Sequence, residues 1–167
     1  MITNSLEISV VIPLYNEDAG LPELYERLTA SLSQIGQSYE LIFVNDGSKD
    51  NTLAKLISLS DTNKKVKYIS FSRNFGHQVA ISSGLDFAKG NAVVIIDGDL
   101  QDPPELIPEL YKKYKEGYKV VYAKRKSRKG ETFYKKTTAT IFYRLLKRIT
   151  SIDIPLDTGD FRLIDKK

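Results

Sequence analysis

Asp97-Gly98-Asp99-Leu100-Gln101-Asp102-Pro103-Pro104-Glu105 gathers four acids into nine residues. Two carboxylates one residue apart point the same way on extended backbone, so Asp97 and Asp99 can converge on one hard cation. The stretch follows directly on Ala92-Val93-Val94-Ile95-Ile96, whose branched side chains read as a buried parallel strand. The acids therefore belong at that strand's carboxyl end, the edge where open α/β sheets bind ligands. Pro103 and Pro104 suit a helical first turn, whose N–H groups have no helical partner. A solvated acidic turn would have the same composition, so the rest of the chain has to decide.

Three more polar motifs stand after predicted strands: Pro13-Leu14-Tyr15-Asn16-Glu17, Asn45-Asp46-Gly47-Ser48 and Ser72-Arg73-Asn74-Phe75-Gly76-His77. Turn-forming loops look similar in composition. An acid in three of the four motifs, and an arginine in the other, favours a ligand site.

The elements that must carry these motifs alternate. Residues 8–12 form a first strand closed by Pro13. Leu21, Leu24, Leu28, Leu32 and Ile35 recur at helical spacing up to Gly36. Strands follow at 41–44, 66–71, 92–96 and 120–123, and helices from about Thr52, over 79–88 and over 103–115. Strands and helices alternating at these lengths predict an α/β fold, a doubly wound and mainly parallel sheet with flanking helices. No repeat or linker divides residues 1–167, so one domain is expected.

Composition narrows the chemistry. The absence of cysteine excludes disulfides and thiolate metal sites, and a single histidine, His77, argues against a histidine-based zinc site. The N-terminus lacks the pattern of a signal peptide, and no apolar run reaches the roughly 20 residues that span a bilayer. A cytoplasmic location is the expectation. The net charge of +4 is uneven. Residues 1–111 hold 8 basic and 15 acidic side chains, whereas residues 112–149 hold 14 basic ones against only Glu116 and Glu131. Such a segment calls for a local anionic partner.

With these motifs in order, the chain resembles the family 2 glycosyltransferases of GT-A fold. Within them it is similar to polyprenyl-phosphate glycosyltransferases, the dolichol-phosphate mannose synthase and bactoprenol glucosyltransferase groups. The resemblance rests on the four motifs, on Val121-Tyr122-Ala123-Lys124-Arg125-Lys126-Ser127-Arg128-Lys129-Gly130-Glu131, and on Asp157-Thr158-Gly159-Asp160-Phe161-Arg162-Leu163. It implies a UDP- or GDP-linked nucleotide-sugar donor, with Pro13, Tyr15 and Glu17 at the nucleoside, Asp46 at the base or ribose, and Gly98 and Asp99 alongside. It also implies Mg²⁺ or Mn²⁺ against the donor diphosphate, with Asp99 and Gln101 as ligands and Asp97 in or just behind them. A divalent ion offsets the charge that develops on the leaving diphosphate. Asp157, Asp160 and Arg162 fall in a motif that lies near the donor sugar and acceptor in that fold. His77 is expected to be a structural loop residue.

The acceptor side is read from the basic segment. Arg125 and Arg128 match phosphate oxygens better than the neighbouring lysines do. Phe133, Tyr134, Thr137, Ile141, Phe142, Leu145, Leu146 and Ile149 then repeat at helical spacing among lysines and arginines. A basic amphipathic helix over 131–149 can lie in a membrane interface, or can pack on its own domain. With the resemblance, this predicts a polyprenyl phosphate held by Arg125, Arg128 and Arg162 at the inner membrane face. Family members continue past this point into transmembrane segments, so the chain is expected to be a truncated catalytic domain. Two other readings remain open: a soluble family 2 enzyme that adds a sugar to a saccharide hydroxyl in polysaccharide or cell-envelope biosynthesis, and a nucleotide- or nucleic-acid-binding module. The acidic edge speaks against a nucleic-acid partner.

Overall fold

Six strands form one sheet in the order β3-β2-β1-β4-β6-β5 in a computed structural model that describes residues 6–124 and 158–167. In chain order the elements are β1 (Ile8–Leu14), α1 (Leu21–Ile35), β2 (Tyr39–Asn45), α2 (Thr52–Thr62), β3 (Val66–Ser70), α3 (His77–Phe87) and β4 (Ala92–Ile95). A 3₁₀ turn (Pro104–Leu106), α4 (Ile107–Lys115), β5 (Val120–Lys124) and β6 (Thr158–Asp165) complete them. β1 pairs in parallel with both β2 and β4, and β2 with β3, so these four strands end on one edge. The expected mainly parallel α/β sheet is therefore present. By its contacts the chain divides into two compact units, residues 1–122 with 160–167, and residues 123–159.

The core follows from the apolar pattern. Every residue of β1 and β2 is buried, as expected of central strands covered on both faces. α1 buries Leu21, Leu24, Leu28 and Leu32 and stops at Gly36, as expected from sequence; there a φ of 69° makes a left-handed C-cap. Truncating such a leucine to alanine costs roughly 2–5 kcal/mol. α3 buries Ala80, Ile81 and Gly84, and Ala80 joins Val11, Ile42, Val44, Ala88 and Val93 in one apolar cluster.

Two readings need correction. Pro13 does not close β1: the strand runs on through Leu14, with Pro13 opposite Val44. Val11 accepts a hydrogen bond from the Ile96 N–H, and Pro13, two residues on, faces the same side, where the β4 ladder has already ended at Val11–Ile95. The missing N–H therefore costs no ladder bond. The second correction is β6, which the strand count omitted. It pairs antiparallel with β4, Ala92 opposite Asp165 and Ile95 opposite Arg162. Phe161 and Leu163 are buried while Asp160 and Arg162 stay partly exposed, the period-2 alternation of a half-buried strand.

Candidate active site

The four parallel strand ends surround a cleft of about 310 Å³. Its walls come from Pro13 and Leu14 at the end of β1 with Tyr15 and Glu17 after it, Asp46 after β2, Asn74, Gly76, His77 and Ala80 after β3, and Asp97, Gly98 and Asp99 after β4. Pro13, Tyr15, Glu17, Asp46, Asp97, Gly98 and Asp99, separated by up to 86 positions in sequence, thus meet in one place. Asp160 and Arg162 stand side by side on β6, with Arg162 Nη1 3.5 Å from Asp160 Oδ1. Gln101 is exposed and is not among the lining residues. Arg125, Arg128, Asp157 and the basic helix of 131–149 lie outside the described residues.

Side chains of the second motif hold the first one in shape. Asn16 adopts a left-handed φ of 56°. Its N–H donates to Ser48 Oγ (2.9 Å), and its Oδ1 accepts from the Lys49 N–H (2.8 Å). The Glu17 N–H donates to the buried Thr52 hydroxyl (3.0 Å), and the Asp18 N–H to Asp50 Oδ2 (3.1 Å). Asp46 is used in the same way. Only 3% exposed, it accepts from the Phe75 N–H at 2.7 Å and the Gly76 N–H at 3.0 Å, one bond to each carboxylate oxygen. Charge-assisted bonds of this kind are about twice as strong as neutral ones. Gly47 completes the clamp: its φ is +67°, and a Cβ there would stand 2.3 Å from the Arg73 carbonyl carbon. Only glycine fits so close a backbone approach. Asp46 and Gly47 together fix the loop that leads into α3.

That loop delivers His77, which is the first residue of α3 rather than a loop residue. His77 Nε2 lies 3.0 Å from Asp160 Oδ2 and 3.4 Å from Asp97 Oδ1. The antiparallel register explains the meeting: two residues past the Ile95–Arg162 pair, Asp160 falls opposite Asp97. Asp97 Oδ1 is shielded from solvent and makes no hydrogen bond. Burial pushes the Asp97 carboxyl above the usual carboxylate range, His77 pulls it back down, and Asp160, Asp99 and Asp102 add to the rise. Glu17 is likewise raised, by burial and then by Asp99 and Asp50.

Asp97 and Asp99 are not carried on extended backbone, as the sequence reading supposed. The chain turns at Gly98 and Asp99, Leu100 takes a φ of 60°, and the Gln101 N–H donates to Asp99 Oδ1 at 3.0 Å. An Asx turn of this kind is a local preference of aspartate that strand periodicity does not reveal. At Gly98 a Cβ would stand 2.2 Å from Leu14 Cδ2, so a larger residue there would have to displace the Leu14 side chain. As a result Asp97 reaches His77 and Asp160, whereas Asp99 lines the cleft near Glu17.

Among the described residues, His77, Asp97 and Asp160 each offer a ligand atom, all within 4.8 Å of one another. An imidazole nitrogen and two carboxylate oxygens, one of them lacking a hydrogen bond, suit a divalent cation. The lining supports the same fit. Among the described residues that line it, Glu17, Asp46, Asp97 and Asp99 are the acids, and His77 is the one potentially cationic side chain.

The profile of Glycosyl transferase family 2 matches residues 9–167. The chain belongs to glycosyl transferase family 2. It is 57% identical over 166 residues to the uncharacterized glycosyltransferase YkcC of Bacillus subtilis, covering 99% of this chain and 51% of that protein. It is 40% identical over 162 residues to the bactoprenol glucosyl transferase of Shigella phage SfV, covering 97% and 53%. The chain thus spans about half the length of these relatives. Among solved structures, glucosyl-3-phosphoglycerate synthase from Mycobacterium tuberculosis, in complex with Mn²⁺, UDP-glucose and phosphoglyceric acid, superposes with a TM-score of 0.64. That match has 22% identity and covers 96% of this chain and 57% of the other, a likeness of fold. The fold is GT-A, as the sequence implied.

Sequence reasoning missed the partnership of His77. The signal was present in the lone histidine that follows Ser72-Arg73-Asn74-Phe75-Gly76. Its partner Asp160 could be placed only once β6 was known to run back along β4.

Proposed function

We propose that this chain is the donor-binding catalytic domain of an inverting glycosyltransferase that moves a sugar from a nucleotide-sugar to a polyprenyl phosphate at the inner membrane face. The observation that carries the reading is the convergence of four strand-end motifs on one acidic cleft containing Asp97 and Asp99. A nucleoside diphosphate would be repelled by Glu17, Asp97 and Asp99 unless a cation stood between them. Mg²⁺ or Mn²⁺, held by Asp97, Asp99 and Gln101, would supply that charge and offset the one developing on the leaving diphosphate.

The chain's own residues divide the remaining work. Pro13 and Tyr15 form the wall for the nucleoside, with Glu17 as an acceptor for its hydroxyl groups. Asp46 stands at the base or ribose, but with both oxygens engaged its larger contribution is to hold the Phe75 and Gly76 backbone against the donor. Asp160 and Arg162 share one face of β6 beside Asp97, which suits the junction of donor sugar and acceptor. Arg125, Arg128 and Arg162 would take the acceptor phosphate, and Asp157 belongs to the same region.

A phosphate monoester is largely ionised near neutral pH, its second pKa being about 6. Its oxygen can attack the anomeric carbon from the face opposite the leaving diphosphate without a general base, which inverts the centre. A hydroxyl acceptor would need a carboxylate base, for which Asp157 and Asp160 are the candidates. The relative named bactoprenol glucosyl transferase and the basic segment of 112–149 both favour the lipid phosphate. Among the described residues no helix is long and apolar enough to cross a membrane. The basic amphipathic pattern of 131–149 is proposed to lie on the bilayer surface.

Transfer of radiolabel from UDP-glucose or GDP-mannose to a chloroform-soluble polyprenyl phosphate is the expected result. Label entering only water-soluble saccharide would replace this acceptor with a saccharide hydroxyl. Binding of the chain to an oligonucleotide, with no transfer at all, would return it to a nucleic-acid module.

A further inference from the structure

His77 takes no part in the donor site as read above, yet it stands on the cleft wall within 3.4 Å of both Asp97 and Asp160. We propose that His77 is a direct ligand, through Nε2, of the divalent cation in this site, sharing it with Asp97 and Asp160, and that its nitrogen tilts the site toward Mn²⁺ over Mg²⁺. The inference rests on the donor-site reading for the presence of the ion, but assigns the residue by geometry.

Three observations carry it. The first is spacing. Two neighbouring ligands of an octahedral ion with bonds of about 2.1 Å stand about 3.0 Å apart. His77 Nε2 lies 3.0 Å from Asp160 Oδ2 and 3.4 Å from Asp97 Oδ1, and all three ligand atoms fall within 4.8 Å of one another. The second is the state of Asp97 Oδ1, which is withdrawn from solvent and makes no hydrogen bond. A histidine there only to satisfy Asp97 would donate to that oxygen; instead its hydrogen bond goes to Asp160. The third is how firmly the position is fixed. Asp46 holds the N–H groups of Phe75 and Gly76, the two residues directly before His77, and the backbone of Arg73 packs against Gly47. A rigid support of this kind is what holds a ligand at its metal.

The chemistry of the donor set gives the selectivity. Mg²⁺ is a hard ion that binds oxygen and parts reluctantly with water, whereas imidazole nitrogen suits first-row transition ions. Exchanging nitrogen for an amide oxygen at position 77 should therefore weaken Mn²⁺ and leave Mg²⁺ nearly unaffected. Asp97 is common to this ligand set and to the one proposed with Asp99 and Gln101.

The sequence contains one histidine, which makes pulsed electron paramagnetic resonance of bound Mn²⁺ decisive. The chain with Mn²⁺ alone should show ¹⁴N coupling from one directly bonded imidazole, and His77→Gln should lose it. The variant should also bind Mn²⁺ roughly 10- to 100-fold more weakly, with Mg²⁺ affinity changed by less than about threefold. Bound Mn²⁺ without ¹⁴N coupling, or no Mn²⁺ bound at millimolar concentration, would overturn the inference. Adding UDP and GDP separates it from the donor-site reading. If neither nucleotide tightens Mn²⁺ while the ¹⁴N signal persists, the donor reading falls and His77 remains a metal ligand.

Discussion

The two edges of this sheet use buried carboxylates in opposite ways. At the amino edge, Glu40 is 2% exposed and fully partnered. Its Oε1 accepts from Ser9 Oγ at 2.6 Å and the Lys89 N–H at 2.8 Å, and its Oε2 pairs with Lys67. Ser9 Oγ in turn accepts from the Gly90 N–H at 2.8 Å. Glu7 repeats the pattern, accepting from Tyr111 and Asn91. These contacts hold both carboxyls below their ordinary range, against the opposing effect of burial. At the carboxyl edge Asp97 and Glu17 are shifted the other way, by burial and by one another's neighbouring acids. Partnered acids stabilise the fold, whereas crowded, under-partnered ones hold charge ready for a cation. Glu7 and Glu40 thus serve the fold, and Asp97 and Glu17 are the acids proposed for the site.

The largest effect should come from Asp97→Asn, which removes a ligand and a buried charge together. Nucleotide-sugar turnover should fall by more than about 100-fold, since losing even an outer partner of a metal costs roughly 10–100-fold. Asp99→Ala should likewise abolish turnover with the fold intact. Stability should move the other way in Asp97→Asn. A carboxyl raised in the folded state costs stability above its folded pKa, and that cost vanishes below the unfolded value. Asparagine carries no such cost, so without metal the variant should melt higher than wild type at pH 7 and lose this advantage below pH 4. A lower melting temperature at pH 7 would break the contrast between the edges.

Glu40→Gln is the mirror experiment. It should destabilise the chain by about 1–3 kcal/mol, the cost of leaving polar partners poorly satisfied, and leave turnover per folded molecule unchanged. The sign with pH is also reversed. A lowered carboxyl contributes stability above its unfolded pKa and loses it as pH falls through the folded one. Urea midpoints of wild type and variant should therefore differ at pH 7 and converge in acid. A persistent difference at low pH would assign the effect to packing instead.

Gly47→Ala tests the link between fold and site. The strained φ and the clash with the Arg73 backbone should cost on the order of 1–3 kcal/mol. Displacing the 72–76 loop should also remove His77 from Asp97 and Asp160. Unchanged Mn²⁺ affinity in a folded Gly47→Ala would show that the clamp does not position His77.

Much of this arrangement was legible from residue order. The β-branched runs and the Leu21, Leu24, Leu28 and Leu32 stripe placed the strands and α1 to within a few residues. The four polar motifs were expected on one edge, where they are found, because parallel strands must end together. What stayed hidden depended on long-range pairing or local turn chemistry. Asp160 reaches Asp97 only through the antiparallel return of β6. Asp99 is drawn back by the Gln101 N–H, and Asp46, whose carboxylate looked free for a ligand, is tied to Phe75 and Gly76. In each case the residue type was noticed, but a hydrogen bond or register decided its direction.

The central claim, that the carboxyl-edge cleft is a metal-assisted nucleotide-sugar site, is tested most directly by thermal denaturation with UDP-glucose and with GDP-mannose. Each should be measured with Mn²⁺ and with EDTA, for wild type and for Asp97→Asn. A donor at 100 times its Kd adds about 2.7 kcal/mol, or roughly 5–10 °C for a chain of this size. The account predicts that rise for one donor with Mn²⁺, its loss in EDTA, and its loss in Asp97→Asn. An equal rise in EDTA, or no rise with either donor, would contradict it.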